Sequence, residues 1–320
     1  MQDLIPIDKV GIKKYNTLQL YIIINSGDIS HMKISEILKE NRVNVSFEVF
    51  PPKQWDKIET TKNVVREMSK EKPAFMSVTY GAAGTTSGFT TEIATEIKNN
   101  GVTPLSHLTC LTSTKDKIHA VVNELQEHGI NNILALRGDI PEGFEFSNNQ
   151  YFTHAYQLIN EIKEINPDIC VGAACYPEIH PESKNRVEDI AHLKEKVDCG
   201  AQFLTSQMFF DNEKFLNFVE MCRIKGIEVP IIAGIMPITN ANQIKRSIEL
   251  SNSSVPKKFF RIMERFGDDP NKMKQAGIIY ATEQIIDLMA NGINDIHIYT
   301  MNKPDVASQI MNGLSHIINE

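Results

Sequence analysis

Long apolar runs are missing from these 320 residues, tryptophan occurs once, and cysteine occurs five times. The most apolar early stretch, Leu18 to Ile24, is far too short to span a bilayer, so no membrane association is expected. Residues 1–17 mix charges without an apolar centre and do not resemble a signal peptide. Cys110, Cys170, Cys175, Cys199 and Cys222 form no Cys-x-x-Cys pair and no cysteine–histidine cluster at zinc spacing. An odd, scattered set of thiols fits a reducing compartment and a cytoplasmic protein. Positive charge is also scarce: 33 Lys and Arg against 40 Asp and Glu leave a net charge of −7. That balance argues against a nucleic-acid partner, which would require a basic face. A glycine-rich phosphate turn is absent after the first strand, where Pro51-Pro52-Lys53 stands instead. The run Gly81-Ala-Ala-Gly84 follows the second strand but lacks a third glycine and a Walker lysine.

The sequence is 42% hydrophobic and 23% charged, enough to bury a large core. Short β-branched runs at 43–50, 75–81, 104–110, 131–138, 170–176, 203–210, 230–236 and 295–301 predict strands. Helical patterns lie between them at 56–71, 89–100, 115–129, 153–165, 184–198, 213–225, 240–250 with 256–266, and 271–291, and a last helix is predicted at 304–318. Ser113 or Thr114, and Thr239 or Asn240, are placed as N-caps; Gly101, Gly129 and Gly226 are placed as helix stops. Strand–helix alternation repeated eight times without a Pro/Gly-rich linker predicts a single (β/α)8 TIM barrel over 32–320, in preference to a doubly wound sheet. Residues 1–31 are read as an N-terminal extension, because Met32-Lys-Ile-Ser-Glu-Ile-Leu resembles a natural start of folded sequence.

In such a barrel the functional residues stand at the carboxyl ends of the strands. Val45-Ser-Phe-Glu-Val-Phe-Pro-Pro is the most informative stretch, because an apolar strand there closes on Glu48 just before two prolines end the ladder. Later strands end on Thr79-Tyr80, His107-Leu-Thr109, Arg137-Gly138-Asp139, Tyr176-Pro177-Glu178, Gln207, Pro237 and Tyr299-Thr300. A buried carboxylate needs either a structural partner or a task. Arg137 can grip a phosphate bidentately and Gly138 lets a ligand approach the backbone; an internal Arg137–Asp139 ion pair is the structural competitor. Lys196 and Asp198 read as a solvated helix face, or as phosphate or ribose contacts beside a nucleotide. Only Lys53 and Lys303 lie near strand ends, which disfavours a Schiff-base enzyme, and no nucleophile elbow is present. His107, Glu178, His180 and Glu182 are metal ligands by type, but the His and Glu of the Glu178-Ile-His-Pro-Glu182 turn do not share a helical face, so no metal is expected.

Taken in order, Phe47-Glu-Val-Phe-Pro-Pro, Ser77-Val-Thr-Tyr-Gly-Ala, His107-Leu-Thr-Cys, Leu136-Arg-Gly-Asp, Tyr176-Pro-Glu-Ile-His-Pro-Glu, Gln207-Met-Phe-Phe-Asp, Gly234-Ile-Met-Pro and Tyr299-Thr-Met-Asn resemble the methylenetetrahydrofolate reductase family over roughly residues 34 to 315. The resemblance implies a flavoprotein that uses FAD to reduce 5,10-methylenetetrahydrofolate to 5-methyltetrahydrofolate in one-carbon metabolism and methionine biosynthesis. NADH is the expected reductant, with NADPH or an accessory electron-delivering subunit as other sources. By motif matching it makes Glu48 the general acid and gives Asp139 a role beside flavin and folate. It implies flavin contacts at Thr79, His107, Arg137, Gly138, Asp139, His154, Ala155, Tyr176, His180, Pro181, Glu182, Asp189, His192 and Lys196. Folate contacts are implied at Glu48, Thr79, Asp139, Gln207, Gln243 and Lys303. Ring opening of the substrate gives a 5-iminium cation and needs a proton on N10, which a carboxylic acid of raised pKa can supply. Flavin and folate are expected to stack, so that folate and pyridine nucleotide share one face in ping-pong fashion.

Met208, Ser247 and Lys303 depart from the family's aromatic, aromatic and arginine at those positions. These departures bear on the reductant and on folate-tail contacts. They also motivate a different reading, a folate- and flavin-binding barrel subunit that works only with an electron-delivering partner. A metal-dependent barrel lyase is a third reading. Exposed barrel helices also leave room for a homo-oligomer.

Overall fold

In the computed structural model, eight parallel strands close into a barrel in the order β1 to β8. The structure describes residues 32–52, 54–80, 87–139, 152–244, 248 and 253–318. The expected extension 1–31, Lys53, the Gly81–Gly84 run and Ser247 lie outside the described residues. The strands are β1 Asn44–Val49, β2 Phe75–Val78, β3 Thr103–Thr109, β4 Asn132–Leu136, β5 Cys170–Cys175, β6 Phe203–Ser206, β7 Ile231–Ile235 and β8 Asp295–Tyr299. A short helix α1 (Ile34–Ile37) precedes β1, and a 3-10 turn (Trp55–Lys57) leads into α2 (Ile58–Ser69). Then follow α3 (Ser87–Asn99), α4 (Lys115–Glu127), α5 (Ala155–Ile165), α6 (Arg186–Asp198), α7 (Asn212–Ile224), α8 (Lys257–Phe266), α9 (Pro270–Ala290) and α10 (Pro304–Leu314). Residues 241–244 are also helical.

Local chemistry sets these boundaries. Thr114 caps α4 by accepting from the Lys117 N–H at 3.3 Å, as expected from sequence. Asp269 caps α9 ahead of Pro270, accepting from the N–H groups of Asn271 and Lys272 at 3.0 and 3.2 Å. Gly101 and Gly129 end their helices at φ 76° and 69°, in the left-handed region where glycine carries no Cβ penalty.

Strand alternation divides the apolar residues between two layers. Val45, Phe47 and Val49 of β1 belong to the main core packed under the helices. The other face of each strand points into the barrel, where Phe75, Leu105, Leu134, Cys170, Phe203 and Ile232 form a second cluster with Ile34 and Leu38. Helix α1 therefore plugs the amino-terminal mouth, held by the Ile34 N–H donating to Asn132 Oδ1 at 2.9 Å. Two residues further along the inward faces, the side chains become polar: Phe75 gives way to Ser77, Leu105 to His107 and Phe203 to Thr205. The interior is apolar below and polar at the carboxyl ends, which confines chemistry to that mouth.

The strand predictions ran long. The apolar pattern at 203–210 leaves the sheet after Ser206, because Met208 and Phe210 pack with Met236, Ile238, Ile244, Phe259 and Met273 in a third cluster above the barrel. No helix among the described residues is long and apolar enough to cross a membrane.

Candidate active site

Glu48 is paired in register with Ser77 of β2 and Tyr299 of β8, and its neighbours at Phe47 and Val49 are locked in the outer core. Its side chain faces the barrel interior and the residue is 7% exposed. His107 Nε2 on β3 lies 3.7 Å from Oε2, beyond hydrogen-bond reach. Burial pushes the Glu48 carboxyl up from 4.5 to about 8, so at neutral pH it holds a proton. Burial also lowers His107 to about 3, leaving a neutral imidazole whose buried Nε2 has no hydrogen-bond partner among the described residues. A carboxylic acid and an unsatisfied ring nitrogen therefore face each other at the mouth, 3.7 Å apart.

Beneath this pair lies a polar layer not singled out from the sequence. His297 of β8 is buried, with Nδ1 2.8 Å from Ser46 Oγ and Nε2 3.2 Å from Ser77 Oγ. Burial, and secondarily His107, lowers its pKa to about 3. The signal was present in Asp295-Ile-His-Ile-Tyr299, where alternation puts His297 and Tyr299 on the inward face. Tyr299 donates its hydroxyl to the Ser206 carbonyl at 2.6 Å, beside Gln207. Gly234 makes room for this contact, since a Cβ there would lie 2.3 Å from Ser206 O and 2.8 Å from Tyr299 Oη.

The residues expected around a flavin gather on β3, β4 and the β5–α6 connection. Arg137 is one-quarter exposed and forms a bidentate pair with Glu182, including Nη2 to Oε1 at 2.7 Å. The ion pair at the barrel top is therefore Arg137–Glu182 and does not use Asp139, which is exposed. That hydrogen bond to Arg137 holds the Glu182 carboxyl below its ordinary range. Gly138 adopts φ 82°, and a Cβ there would sit 2.9 Å from Thr109 Cβ, so only glycine keeps this backbone open. Tyr176 and His180 meet edge to face with ring centres 4.6 Å apart. Asp189 accepts from the His180 N–H at 3.3 Å and the Ser183 hydroxyl at 3.2 Å, which shapes the turn that also carries Pro181.

Lys196 is half-buried and donates to the Ala174 carbonyl at 3.0 Å, while Asp198 pairs with Lys194. The expected Lys196–Asp198 face thus splits, with only the aspartate solvated. Burial lowers Lys196 and His180 from their ordinary values, and in both cases neighbouring cations add to the effect. Ala155 is buried at the start of α5, preceded by exposed His154, which is electrostatically close to Glu182. His192 is exposed on α6, and no hydrogen bond or ion pair joins it to the cluster among the described residues.

Folate-side candidates form a second group. Gln207 accepts from the Met208 N–H at 2.9 Å through its own side-chain oxygen. Lys303 donates to Thr239 Oγ1 at 2.7 Å, and Thr239 contacts Gln243 Oε1 through its N–H at 3.0 Å and its hydroxyl at 3.2 Å. The structure thus brings Gln243 and Lys303 together through Thr239, a residue not picked out as a contact. Thr79 closes β2, its N–H donating to the Val49 carbonyl at 3.1 Å. No group of three or more His, Cys, Asp or Glu side chains suited to a metal occurs among the described residues.

Together these features define a (β/α)8 barrel whose carboxyl-end mouth sets a buried carboxylic acid beside a cationic cradle opened by a glycine. The family model for methylenetetrahydrofolate reductase matches residues 33–315, and the chain belongs to that family. It is 34% identical over 288 residues to a 5,10-methylenetetrahydrofolate reductase of Escherichia coli (strain K12), covering 90% of this chain and 95% of the relative. A Buchnera aphidicola protein of the same name is 35% identical over 287 residues, with 88% and 97% covered. An Arabidopsis thaliana protein named methylenetetrahydrofolate reductase (NADH) 1 is 34% identical over 298 residues, 50% of its length. Among solved structures, a Clostridium thermocellum protein described as binding two copies of 5-methyl-5,6,7,8-tetrahydrofolic acid superposes with a TM-score of 0.60 at 14% identity, over 89% of this chain and 98% of that one; this likeness concerns the fold.

Proposed function

We propose that this chain reduces 5,10-methylenetetrahydrofolate to 5-methyltetrahydrofolate with FAD as its cofactor and NADH as reductant. The observation that carries the reading is Glu48, an enclosed acid at a strand end with no hydrogen-bond partner among the described residues and a pKa raised to about 8. A carboxyl kept protonated at neutral pH without structural engagement suits proton donation. The residues also suit a flavin dinucleotide. Arg137, His180 and Lys196 supply donors for its phosphates, and Gly138 leaves the backbone open to its approach.

When bound, flavin supplies the hydride that reduces the substrate's methylene carbon. Glu48 holds the proton that N10 takes up as the substrate ring opens. The Asp139 carboxylate, at the rim, stabilises the positive charge that develops on the substrate. Gln207 hydrogen-bonds the pterin, Gln243 and Lys303 hold the rest of the folate, and Tyr176 and Thr79 border the cofactor. The remaining cofactor contacts proposed are His107, Asp139, His154, Ala155, Pro181, Glu182, Asp189 and His192. NADH as donor is supported by the name of the Arabidopsis relative. The partner-dependent subunit draws no support from relatives of the same length that are named as reductases.

The test is an absorbance spectrum of the purified chain, followed by anaerobic addition of NADH and then of methylenetetrahydrofolate. Flavin bands that bleach with NADH and return with the folate are expected. A chain that takes up no flavin when FAD is added would sink the reading.

A further inference from the structure

Strand β1 ends in a place where the sheet cannot hold it. Pro51 and Pro52 carry no N–H, and β8, its neighbour on one side, stops at Tyr299. The polar groups of Phe50 are instead taken by one side chain. The Phe50 N–H donates to Asn302 Oδ1 at 2.8 Å, and Asn302 Nδ2 donates to the Phe50 carbonyl at 2.9 Å. The Asn302 amide thus acts as a peptide unit of a missing strand. Thr300 Oγ1 adds a hydrogen bond to the Glu48 carbonyl at 2.7 Å. To reach these positions, Met301 and Asn302 both adopt φ 55°. Asparagine tolerates that region, but methionine seldom enters it, and consecutive strained residues persist only where surrounding contacts enforce them. The same turn continues into Lys303, which reaches Thr239, and begins at Tyr299, which is bonded beside Gln207.

We infer that Asn302, supported by Thr300, is a positioning residue that fixes the Glu48 carboxyl against the folate. The inference rests on the reading of Glu48 as the proton donor. A turn that grips the backbone on both sides of Val49 leaves Glu48 little freedom to swing. Because it also carries Lys303 and Tyr299, it sets the acid and the substrate contacts in one frame. Misplacing a reacting group by about 1 Å costs on the order of a hundredfold in rate.

The experiment uses the FAD-loaded full chain and its Asn302→Gly, Asn302→Asp and Thr300→Val variants, with flavin reduction by NADH and reoxidation by methylenetetrahydrofolate followed separately in a stopped-flow instrument. Glycine accepts φ near 55° without strain, so Asn302→Gly keeps the turn and removes only the clamp. Its folate half-reaction is expected to slow by about tenfold to a hundredfold, with flavin reduction by NADH unchanged and the loss in the limiting rate constant, not in folate affinity. Asn302→Asp should recover part of the rate, since its carboxylate still accepts from the Phe50 N–H. Equal loss in both half-reactions, loss confined to folate affinity, or no loss in Asn302→Gly would each overturn the inference. Should Asn302→Gly not accumulate as folded protein, wild-type rates in both Asn302→Asp and Thr300→Val overturn it, and a selective folate-side loss in either sustains it. A wild-type chain that binds FAD but never transfers electrons to folate overturns the functional reading and this inference together.

Discussion

At the scale of single residues, Glu48 sets the pH behaviour. Its pKa is raised from 4.5 to about 8, so the folded protein holds this proton more tightly than the unfolded chain. Below about pH 4.5 the side chain is protonated in both states and its burial carries no ionisation penalty. As pH rises toward 8, the unfolded state gains by releasing the proton and the folded state is progressively disfavoured. The groups facing the carboxyl are the neutral His107 on β3 and Tyr299 on β8, whose phenol is pushed well above 10 by burial and by Glu48. None supplies a compensating cation near neutrality. Glu48→Gln should therefore melt at a higher temperature than the wild type at pH 8 and show a smaller difference at pH 5, as thermal unfolding at the two pH values would reveal. The same variant should lose folate reduction while NADH still bleaches its flavin. Equal loss of both half-reactions would make Glu48 structural. In the wild type, the folate half-reaction should decline above about pH 8 as the proton is lost.

At the scale of elements, strands and helices differ in how far they could be read from the chain. Alternation in Val43–Val49 was sufficient to place β1 and to put Glu48 at its end, and the structure turns that residue inward because the outer face of β1 is taken by Val45, Phe47 and Val49. It failed at Gln207–Phe210, where apolar residues continue although the strand has ended, since Met208 and Phe210 bury themselves against Phe259 of α8 and Met273 of α9 above the barrel instead of in the sheet. Contacts that shape the site across long separations carried no local signal. Asn302 meets Phe50 across 252 positions. Glu178, read from sequence as one of the polar strand-end residues at the mouth, pairs with Lys214 of α7 and accepts from the Ser254 N–H at 2.9 Å. This tie lies beside Ile179, a β-branched residue at φ 71°, and steadies the β5–α6 turn that carries His180. Strand β5 itself tests the interior packing. A Cβ on Gly172 would meet the Phe203 ring at 2.3 Å, in the cluster that fills the lower barrel. Overfilling such a core costs about 1–3 kcal/mol. Gly172→Ala is expected to lower the denaturant midpoint accordingly, and Phe203→Leu in the same chain should restore part of the loss. A neutral Gly172→Ala would mean that the lower barrel is looser than its packing implies.

For the whole molecule, the distribution of charge links cofactor binding to stability. The chain is acidic overall, with a net charge of −7, yet Arg137, His180 and Lys196 converge on one side of the mouth. Burial depresses both His180 and Lys196, and the two groups feel neighbouring cations as well: Lys196 and Arg137 act on His180, and Arg137 acts on Lys196. Arg137 and Lys196, two cations held close together around a neutral His180 in a half-buried site, raise the energy of the fold unless an anion joins them. Glu182 offsets part of this through its pair with Arg137, and Asp189 opposes the depression of both Lys196 and His180. A dinucleotide whose phosphates settle among these donors would relieve the repulsion, and it binds the folded state alone. At a hundredfold excess over its dissociation constant, such a ligand adds about 2.7 kcal/mol to stability. Flavin-stripped protein should therefore melt below the FAD-loaded form, and riboflavin, which has the ring but no phosphates, should restore little of the difference. Lys196→Met should shrink the FAD-dependent shift while raising or leaving unchanged the melting temperature of the stripped protein, because it removes a cation from a crowded set. A stripped Lys196→Met chain that melts well below the stripped wild type would instead assign Lys196 to the fold through its bond to Ala174.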